Sequence, residues 1–295
     1  MEIGKLTALK KSIVGTVVLP GDSAYKKLRN AFANAGKPAV IVQCLNNADV
    51  QKAIQFARDN ALLLSVRGGG HNGAGFGTNI DGLVIDLSPM NSITVIDEQK
   101  NIVRIEGGTK WVSVADTLAA HGLAISSGDT KSVGVGGLML MGGMGWMVRK
   151  YGLALDNLVA AEVVVANGEV LRASAEEHTD LFWAIRGGGG NFGVVTVFEV
   201  TAHPIRNVFF GIITYPATET AAVLKGWADY MRTATDDITT IANIAPAMGG
   251  TPPPLGITVC YAGDDADAAK RAIEPLLHIG TVLNQTIKKM PYEDV

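Results

Sequence analysis

Glycines crowd into three places in this chain, and each crowd abuts a strand-like run. Seventeen of the 35 lie between Ser65 and Gly145, and Gly187 to Gly190 runs into Asn191-Phe192-Gly193. Glycine at that density lets backbone approach a large ligand closely and adopt positive φ, at an entropic cost that a plain core would not offset. Ordinary turns scatter along a sequence instead. Several loops converging on one bulky ligand are therefore expected. The composition suffices for such a fold: 295 residues, 47% hydrophobic and 18% charged, can fill two domains or one large one, and disorder is excluded.

Other classes fall away on charge and residue usage. The 25 Lys+Arg against 28 Asp+Glu leave a net charge of −3, with no basic field to hold a nucleic-acid backbone. Cys44 and Cys260 are too few for a disulfide framework and form no Cys-x-x-Cys cluster, and no histidines have His-x-x-x-His spacing, so no metal is expected. The N-terminal MEIGKLTALKK lacks a long apolar stretch before a small-residue cleavage site, and a cytoplasmic location is expected. The glycine-rich uncharged run Ser132 to Val148 has 17 residues, six of them glycine. A membrane span needs about 20 apolar residues, so no membrane partner is expected.

Periodicity predicts a helix from about Ser23 to Ala35, a strand at Ala39 to Gln43, a helix from about Asn47 to Asn60 capped by Asn46 or Asn47, and a strand at Leu62 to Val66. The last three make a βαβ unit. A strand at Leu83 to Asp86 follows the first glycine loop, then Ile93 to Asp97 and Ile102 to Glu106 form a hairpin, and a helix runs from about Lys110 to His121. Asn157 to Val165 and Glu169 to Ala173 read as strands joined by a type I′ turn at Asn167-Gly168, ahead of a helix at Glu176 to Ala184 and a strand at Val194 to Val200. Beyond Pro204 the texture changes. Strands at Phe209 to Tyr215, Ile238 to Ala245 and Leu255 to Ala262 alternate with helices at Thr218 to Ala234 and Ala266 to His278, and Thr251 to Pro254 is a connector. The class is α+β, with residues 1–204 as one domain and 205–295 as another, an antiparallel sheet covered by helices.

The first loop, Ser65-Val66-Arg67-Gly68-Gly69-Gly70-His71-Asn72-Gly73-Ala74-Gly75-Phe76-Gly77, contains Gly73-x-Gly75-x-Gly77. A Rossmann dinucleotide loop opens a helix, whereas here Thr78 to Gly82 leads into a strand, so that site is not expected. Consecutive glycine amides still form an anion-binding nest suited to a pyrophosphate, to which Arg67 could add a charge. The second loop runs from Ser126 to Gly137 and on through Gly142-Gly143-Met144-Gly145-Trp146. It has no Walker lysine motif, and the chain has no Gly-x-Ser-x-Gly elbow. His121 reads as a helix-end residue, His178 and His203 as surface and boundary residues, and Met139, Met141, Met144 and Met147 with Trp146 as apolar packing.

Five motifs now appear in order: Arg67-Gly-Gly-Gly-His71-Asn72, Leu83-Val-Ile-Asp-Leu-Ser88, Ser132-Val-Gly-Val-Gly-Gly137, Arg149-Lys-Tyr-Gly-Leu153 with Asp156-Asn157, and Ala184-Ile-Arg-Gly-Gly-Gly-Gly-Asn-Phe-Gly-Val-Val195. Together, over about residues 36 to 203, they resemble the flavin domain of berberine-bridge-enzyme-like oxidases of the vanillyl-alcohol-oxidase (p-cresol methylhydroxylase, PCMH) superfamily. The resemblance implies a two-lobed PCMH-type FAD-binding domain, lobes about 36–98 and 99–204, followed by a partial substrate domain. By it, the backbone amides of Arg67, Gly68, Gly69, Gly70, His71 and Asn72 take the FAD pyrophosphate. Gly134, Gly136 and Gly137 line the ribityl and isoalloxazine region, with Gly128, Asp129, Thr130, Val133 and Gly143 of the same run, and Gly193 and Val194 lie near the adenosine end. The methionine cluster would pack beneath the isoalloxazine.

His71 matches the histidine that in many relatives bonds to the flavin 8α-methyl carbon; the alternative is a loop histidine that only hydrogen-bonds. Bicovalent relatives carry a cysteine where this chain has Thr130, and neither Cys44 nor Cys260 replaces it, so the resemblance implies attachment through His71 alone. Val133 matches a position that gates dioxygen access, or is a packing valine; Tyr151 lines the substrate pocket or packs in the core. The implied function is oxidation of a small-molecule alcohol or C–H donor, with hydride passing to flavin N5 and dioxygen yielding hydrogen peroxide. A dehydrogenase with another acceptor and a flavin-binding module without turnover are the alternatives. Relatives continue past the position of Pro291-Tyr292, where their catalytic base usually lies, so no catalytic residue is assigned: the chain is a fragment or a short member.

Overall fold

The computed structural model describes residues 2–32, 34–246 and 252–295. In chain order the elements are α1 (Ile3–Ser12), β1 (Thr16–Val18), α2 (Tyr25–Leu28), β2 (Asn30–Ala31), β3 (Asn34–Ala35), β4 (Val40–Gln43), α3 (Asn47–Asp59), β5 (Leu64–Arg67), β6 (Leu83–Asp86), β7 (Ile93–Asp97), β8 (Ile102–Glu106), α4 (Trp111–Ala119), α5 (Val135–Met141), α6 (Val148–Tyr151), β9 (Leu158–Val164), β10 (Val170–Ser174), α7 (Thr179–Ile185) and β11 (Val194–Thr201). There follow β12 (Asn207–Tyr215), α8 (Thr220–Met231), β13 (Ile238–Asn243), β14 (Leu255–Tyr261), α9 (Ala266–Ile273), β15 (Asn284–Gln285) and β16 (Lys288–Pro291). The chain divides into two compact units. One comprises Met1–Thr117, Thr130–Gly143 and Ala154–Ala202; the other comprises Leu118–Asp129, Met144–Leu153 and His203–Val295.

The first unit contains a four-stranded sheet of order β1-β4-β6-β5, in which β4, β6 and β5 are parallel. Parallel strands are covered on both faces, and Val40, Ile41, Val42, Leu83, Val84 and Ile85 are all fully buried. One face packs on Val50, Ala53, Ile54 and Ala57 of α3 and on Leu9 and Ile13; the other receives Tyr25 and Leu28. The βαβ unit holds, with β6 inserted between its two strands. A five-stranded antiparallel sheet, β10-β9-β11-β8-β7, completes the unit, and the hairpin of β7 and β8 has the predicted bounds.

Three local expectations need correction. The helix expected over Ser23 to Ala35 shrinks to one turn, α2, followed by the β2–β3 hairpin, because its carbonyls are taken from outside. Arg67 donates to Leu28 O and Asn30 O, Thr78 Oγ1 donates to Arg29 O at 2.7 Å, and Phe32 N donates to Gly70 O at 2.8 Å. The turn at Asn167-Gly168 is not type I′. Gly168 N donates to Val165 O, Val165 N donates to Glu169 O, and of the turn residues only Gly168 has positive φ, at 92°, giving a three-residue loop closed by a glycine bulge. No element is predicted before Ser23, yet Ile3–Ser12 is helical, and part of the Ser132–Val148 run folds as α5.

In the second unit β12 pairs with β14, β14 with β13, and β15 and β16 both pair with β12, all antiparallel. Ile213, Tyr215, Ile257 and Val259 pack against Val223 of α8 and Ala269, Ala272 and Ile273 of α9. The last expected helix stops at Ile273 and continues as a 3₁₀ turn, Glu274–His278, since Pro275 has no N–H to continue the ladder. Thr251, the first residue of the expected connector, lies outside the described residues.

The start of α3 shows how a single buried carboxylate fixes loops. Asn46 caps the helix by accepting from Asp49 N at 3.0 Å, and the Asp49 carboxylate in turn accepts from Val14 N at 2.8 Å, Gly15 N at 2.9 Å and Leu45 N at 3.1 Å. Asp49 is fully buried, so Asp49→Ala leaves three amides without a partner. We expect a loss of about 2–4 kcal/mol, at the rate of about 1–3 kcal/mol for each stranded buried donor with partial relief by water, read as a lowered urea midpoint at unchanged m-value.

Candidate functional site

The first glycine loop leaves β5 and returns as β6, so it is itself the crossover between two hydrogen-bonded parallel neighbours, with Arg67 registered opposite Asp86. Arg67 does not offer its charge to the loop. Its buried guanidinium lies 3.0 Å from Asp86 Oδ2 without hydrogen-bond alignment, and Nη1 donates to Leu28 O and Asn30 O. Asp86 also accepts from Gln43 Nε2 at 3.1 Å and Ser88 N at 3.2 Å. The charge expected from Arg67 thus serves the fold, and the anion-seeking character of the loop rests on backbone. Among the described residues no acceptor takes the amides of Gly68, Gly69, Gly70, His71, Asn72, Gly73 or Ala74. Backbone donors left in such a row are available to an anion.

His71 is partly buried, and its ring stacks on Phe32 with centroids 4.9 Å apart and planes 19° apart. Gly69 meets Gly134 of the second loop backbone to backbone. A Cβ on Gly69 would stand 2.3 Å from Gly134 N, and one on Gly134 2.2 Å from Gly69 N. The second loop is held by Trp111 N donating to Val133 O at 3.0 Å and Val135 N to Thr109 O at 2.8 Å, after which α5 begins with buried Val135 and Gly136. Thr109 Oγ1 and Trp111 Nε1 are buried polar atoms without a partner among the described residues. Gly193, at φ 154°, backs onto Val164 O, and Val194 starts β11.

Residues 38–174 match the family model described as an FAD binding domain. The chain is 37% identical to (R)-6-hydroxynicotine oxidase of Paenarthrobacter nicotinovorans over 96% of its own length and 62% of the relative's. Residues 38–174 thus form an FAD-binding domain, and the proteins that this chain is similar to are FAD-linked oxidases of the PCMH/VAO superfamily. Its fold is similar to that of 6-hydroxy-D-nicotine oxidase from Arthrobacter nicotinovorans, with TM-score 0.90 and 36% identity over 96% of this chain and 63% of that one. It is also similar to glucooligosaccharide oxidase from Acremonium strictum, which carries a 6-S-cysteinyl, 8α-N1-histidyl FAD, with TM-score 0.85 and 26% identity over 98% of this chain and 61% of that one. The chain therefore spans about 62% of the length of (R)-6-hydroxynicotine oxidase. The residues present suit FAD: unpaired amides for a diphosphate, side-chain-free contact between two loops, and buried polar atoms still lacking partners.

The remaining sequence-predicted residues divide between the units. Thr130, Val133, Gly134, Gly136, Gly137 and Gly143 belong to the first, whereas Gly128, Asp129 and Tyr151 belong to the second. In the second unit Tyr151 stacks face to face on His203, centroids 3.7 Å apart and planes 6° apart, and His203 pairs with Ala124 in a β-bridge. His203 is thus more than a boundary residue; burial, and then the charge of Lys150, hold its pKa below the ordinary value. Lys150 reaches Asp237 at 2.7 Å. The methionines split: Met139 and Met147 are buried, but Met141 and Met144 are exposed, so the expected single packing cluster does not form. Sequence reasoning missed Phe32, which lies in a stretch that reads as helix and carries no local signal for its partner.

Two tests follow. Gly69→Ala forces the loops apart at an overpacking cost of about 1–3 kcal/mol, so FAD should bind about ten- to a hundredfold more weakly. Gly73→Ala, whose Cβ meets nothing within 4 Å, should bind FAD normally in the same flavin titration. For His203, the unfolded chain takes a proton near pH 6.5 and the folded protein only at lower pH. Its contribution to stability is complete above that value and is lost as pH falls through the folded-state pKa. His203→Phe keeps a ring on Tyr151, and the urea midpoint should vary less between about pH 5 and 8 than in the parent protein.

Proposed function

We propose that this chain is part of an FAD-linked oxidase that oxidises a small-molecule alcohol or activated C–H donor, with FAD attached through His71 alone and dioxygen as the acceptor. The observation that carries this reading is the row of amides from Gly68 to Ala74 that find no acceptor among the described residues, with a partly buried histidine in their midst, within an FAD-binding domain. When bound, FAD accepts hydride at N5 and passes two electrons to dioxygen, giving hydrogen peroxide. The chain's own residues bind and orient. Amides of Gly68 to Asn72 donate to the diphosphate, the Gly134–Gly137 backbone approaches the flavin without side chains in the way, and Gly193 and Val194 take the adenosine end.

A single link is supported by the thiols. Thr130 stands where bicovalent relatives have cysteine, and both cysteines are fully buried, with burial raising the Cys260 thiol to about 12 and pushing the Cys44 thiol up as well. Neither offers a thiolate near neutral pH. Hydroxynicotine and oligosaccharides, the compounds in the relatives' names, mark the substrate range to screen. Val133 and Tyr151 are the candidate oxygen-gate and pocket residues.

The test is an absorbance spectrum and intact mass before and after acid precipitation. Flavin colour and an added FAD mass that survive denaturation are expected, and His71→Ala should release all flavin on precipitation while still binding FAD. Peroxide formed with a substrate of the screened classes is expected; flavin bleaching without peroxide in air would assign the reaction to another acceptor.

A further inference from the structure

A histidine that forms a bond to a cofactor must hold its ring at one angle while keeping a nitrogen lone pair unoccupied. Hydrogen bonds, the usual means of fixing an imidazole, would occupy a nitrogen or set its proton. Among the described residues no hydrogen bond reaches the His71 ring. What touches it is Phe32, offset-stacked at 4.9 Å and 19°. A phenyl ring fixes the plane of its neighbour and can neither donate nor accept a proton.

Phe32 is not at this spot through burial, because it is 73% exposed. It is brought there by backbone. Phe32 N donates to Gly70 O at 2.8 Å, immediately before His71, and Asn34 Nδ2 donates to Gly73 O at 3.1 Å, two residues after it. The β2–β3 hairpin that carries both is closed by the pairing of Asn30 with Ala35 and Ala31 with Asn34, and is anchored from below by Arg67 and Thr78. Hairpin and loop therefore grip each other on both sides of the histidine.

We infer that Phe32 is a positioning residue that presents the His71 ring for bond formation to the flavin, an inference that rests on the covalent attachment proposed above. The step joins an imidazole nitrogen to the 8α-carbon. One proton leaves that carbon, one leaves the imidazole N–H, and the two electrons go to dioxygen, which takes up both protons as hydrogen peroxide. Phe32 acts on the rate of this step through ring orientation and leaves prior, non-covalent FAD binding to the amides.

The experiment follows acid-stable flavin against time after FAD is added to full-length apoprotein, alongside a flavin-fluorescence titration of the initial binding. Phe32→Ala and Phe32→Leu should attach FAD at least about tenfold more slowly with binding affinity within about twofold of the parent, and Phe32→Tyr should restore the rate, as expected when a reacting group loses its alignment. Unchanged attachment in Phe32→Ala and Phe32→Leu, with acid-stable flavin in the parent, overturns the role of Phe32 alone. Loss of non-covalent binding in both variants makes Phe32 a structural residue and overturns it too. Acid-labile flavin in the parent protein overturns the His71 attachment itself, and this inference with it.

Discussion

Arg67 ties the end of a parallel sheet to a hairpin that precedes it by nearly forty residues. Its guanidinium faces Asp86 on the neighbouring strand and the carbonyls of Leu28 and Asn30, and the pair is almost wholly buried. A buried charge is tolerated only when its partners are well placed, and losing one partner strands the other. The β2–β3 hairpin, the stacking of Phe32 on His71 and the direction in which the glycine loop leaves β5 all depend on this arrangement. An arginine beside a glycine-rich anion loop invites the reading that it binds the anion. Here it builds the loop, and the donors are amides.

What was legible in the sequence was local and periodic. Alternation over Ile93 to Glu106 gave the β7–β8 hairpin to the residue, the Asn46-Asn47 pair announced the cap of α3, which Asn46 makes, and the continuous apolar runs at β4 and β6 are those of strands buried on both faces. The flavin domain was legible only through the resemblance of five ordered motifs to a known family. The helix at Ser23 to Ala35 failed for the opposite reason: its hydrogen-bond partners, Arg67, Gly70 and Thr78, are distant in sequence, and no window of local propensity contains them. The turn at Gly168 failed more narrowly, since Asn-Gly suits two turn geometries and register alone decides between them.

The second loop shows a further limit. It reads as one glycine-rich run, yet Ser126 to Asp129 folds with the second unit, Thr130 to Gly143 with the first, and Met144 to Leu153 with the second again. Composition does not change at these crossings. The methionines there were expected to serve one packing cluster, but each segment holds one buried and one exposed methionine: Met139 and Met141 in the first unit, Met147 and Met144 in the second.

The crossover from β5 to β6 is the glycine loop itself, where parallel neighbours are commonly bridged by a helix. A helical bridge brings its own ladder of hydrogen bonds and an apolar face; this one brings neither, and β5 is the edge strand of its sheet. The loop is consequently the place where hydrogen exchange should be fastest in the ligand-free chain, and a ligand bound there lends the edge the order that the sequence withholds. A dissociable ligand lends it only in proportion to its concentration, whereas one joined by a covalent bond cannot be diluted away, which turns a borrowed stability into a permanent one.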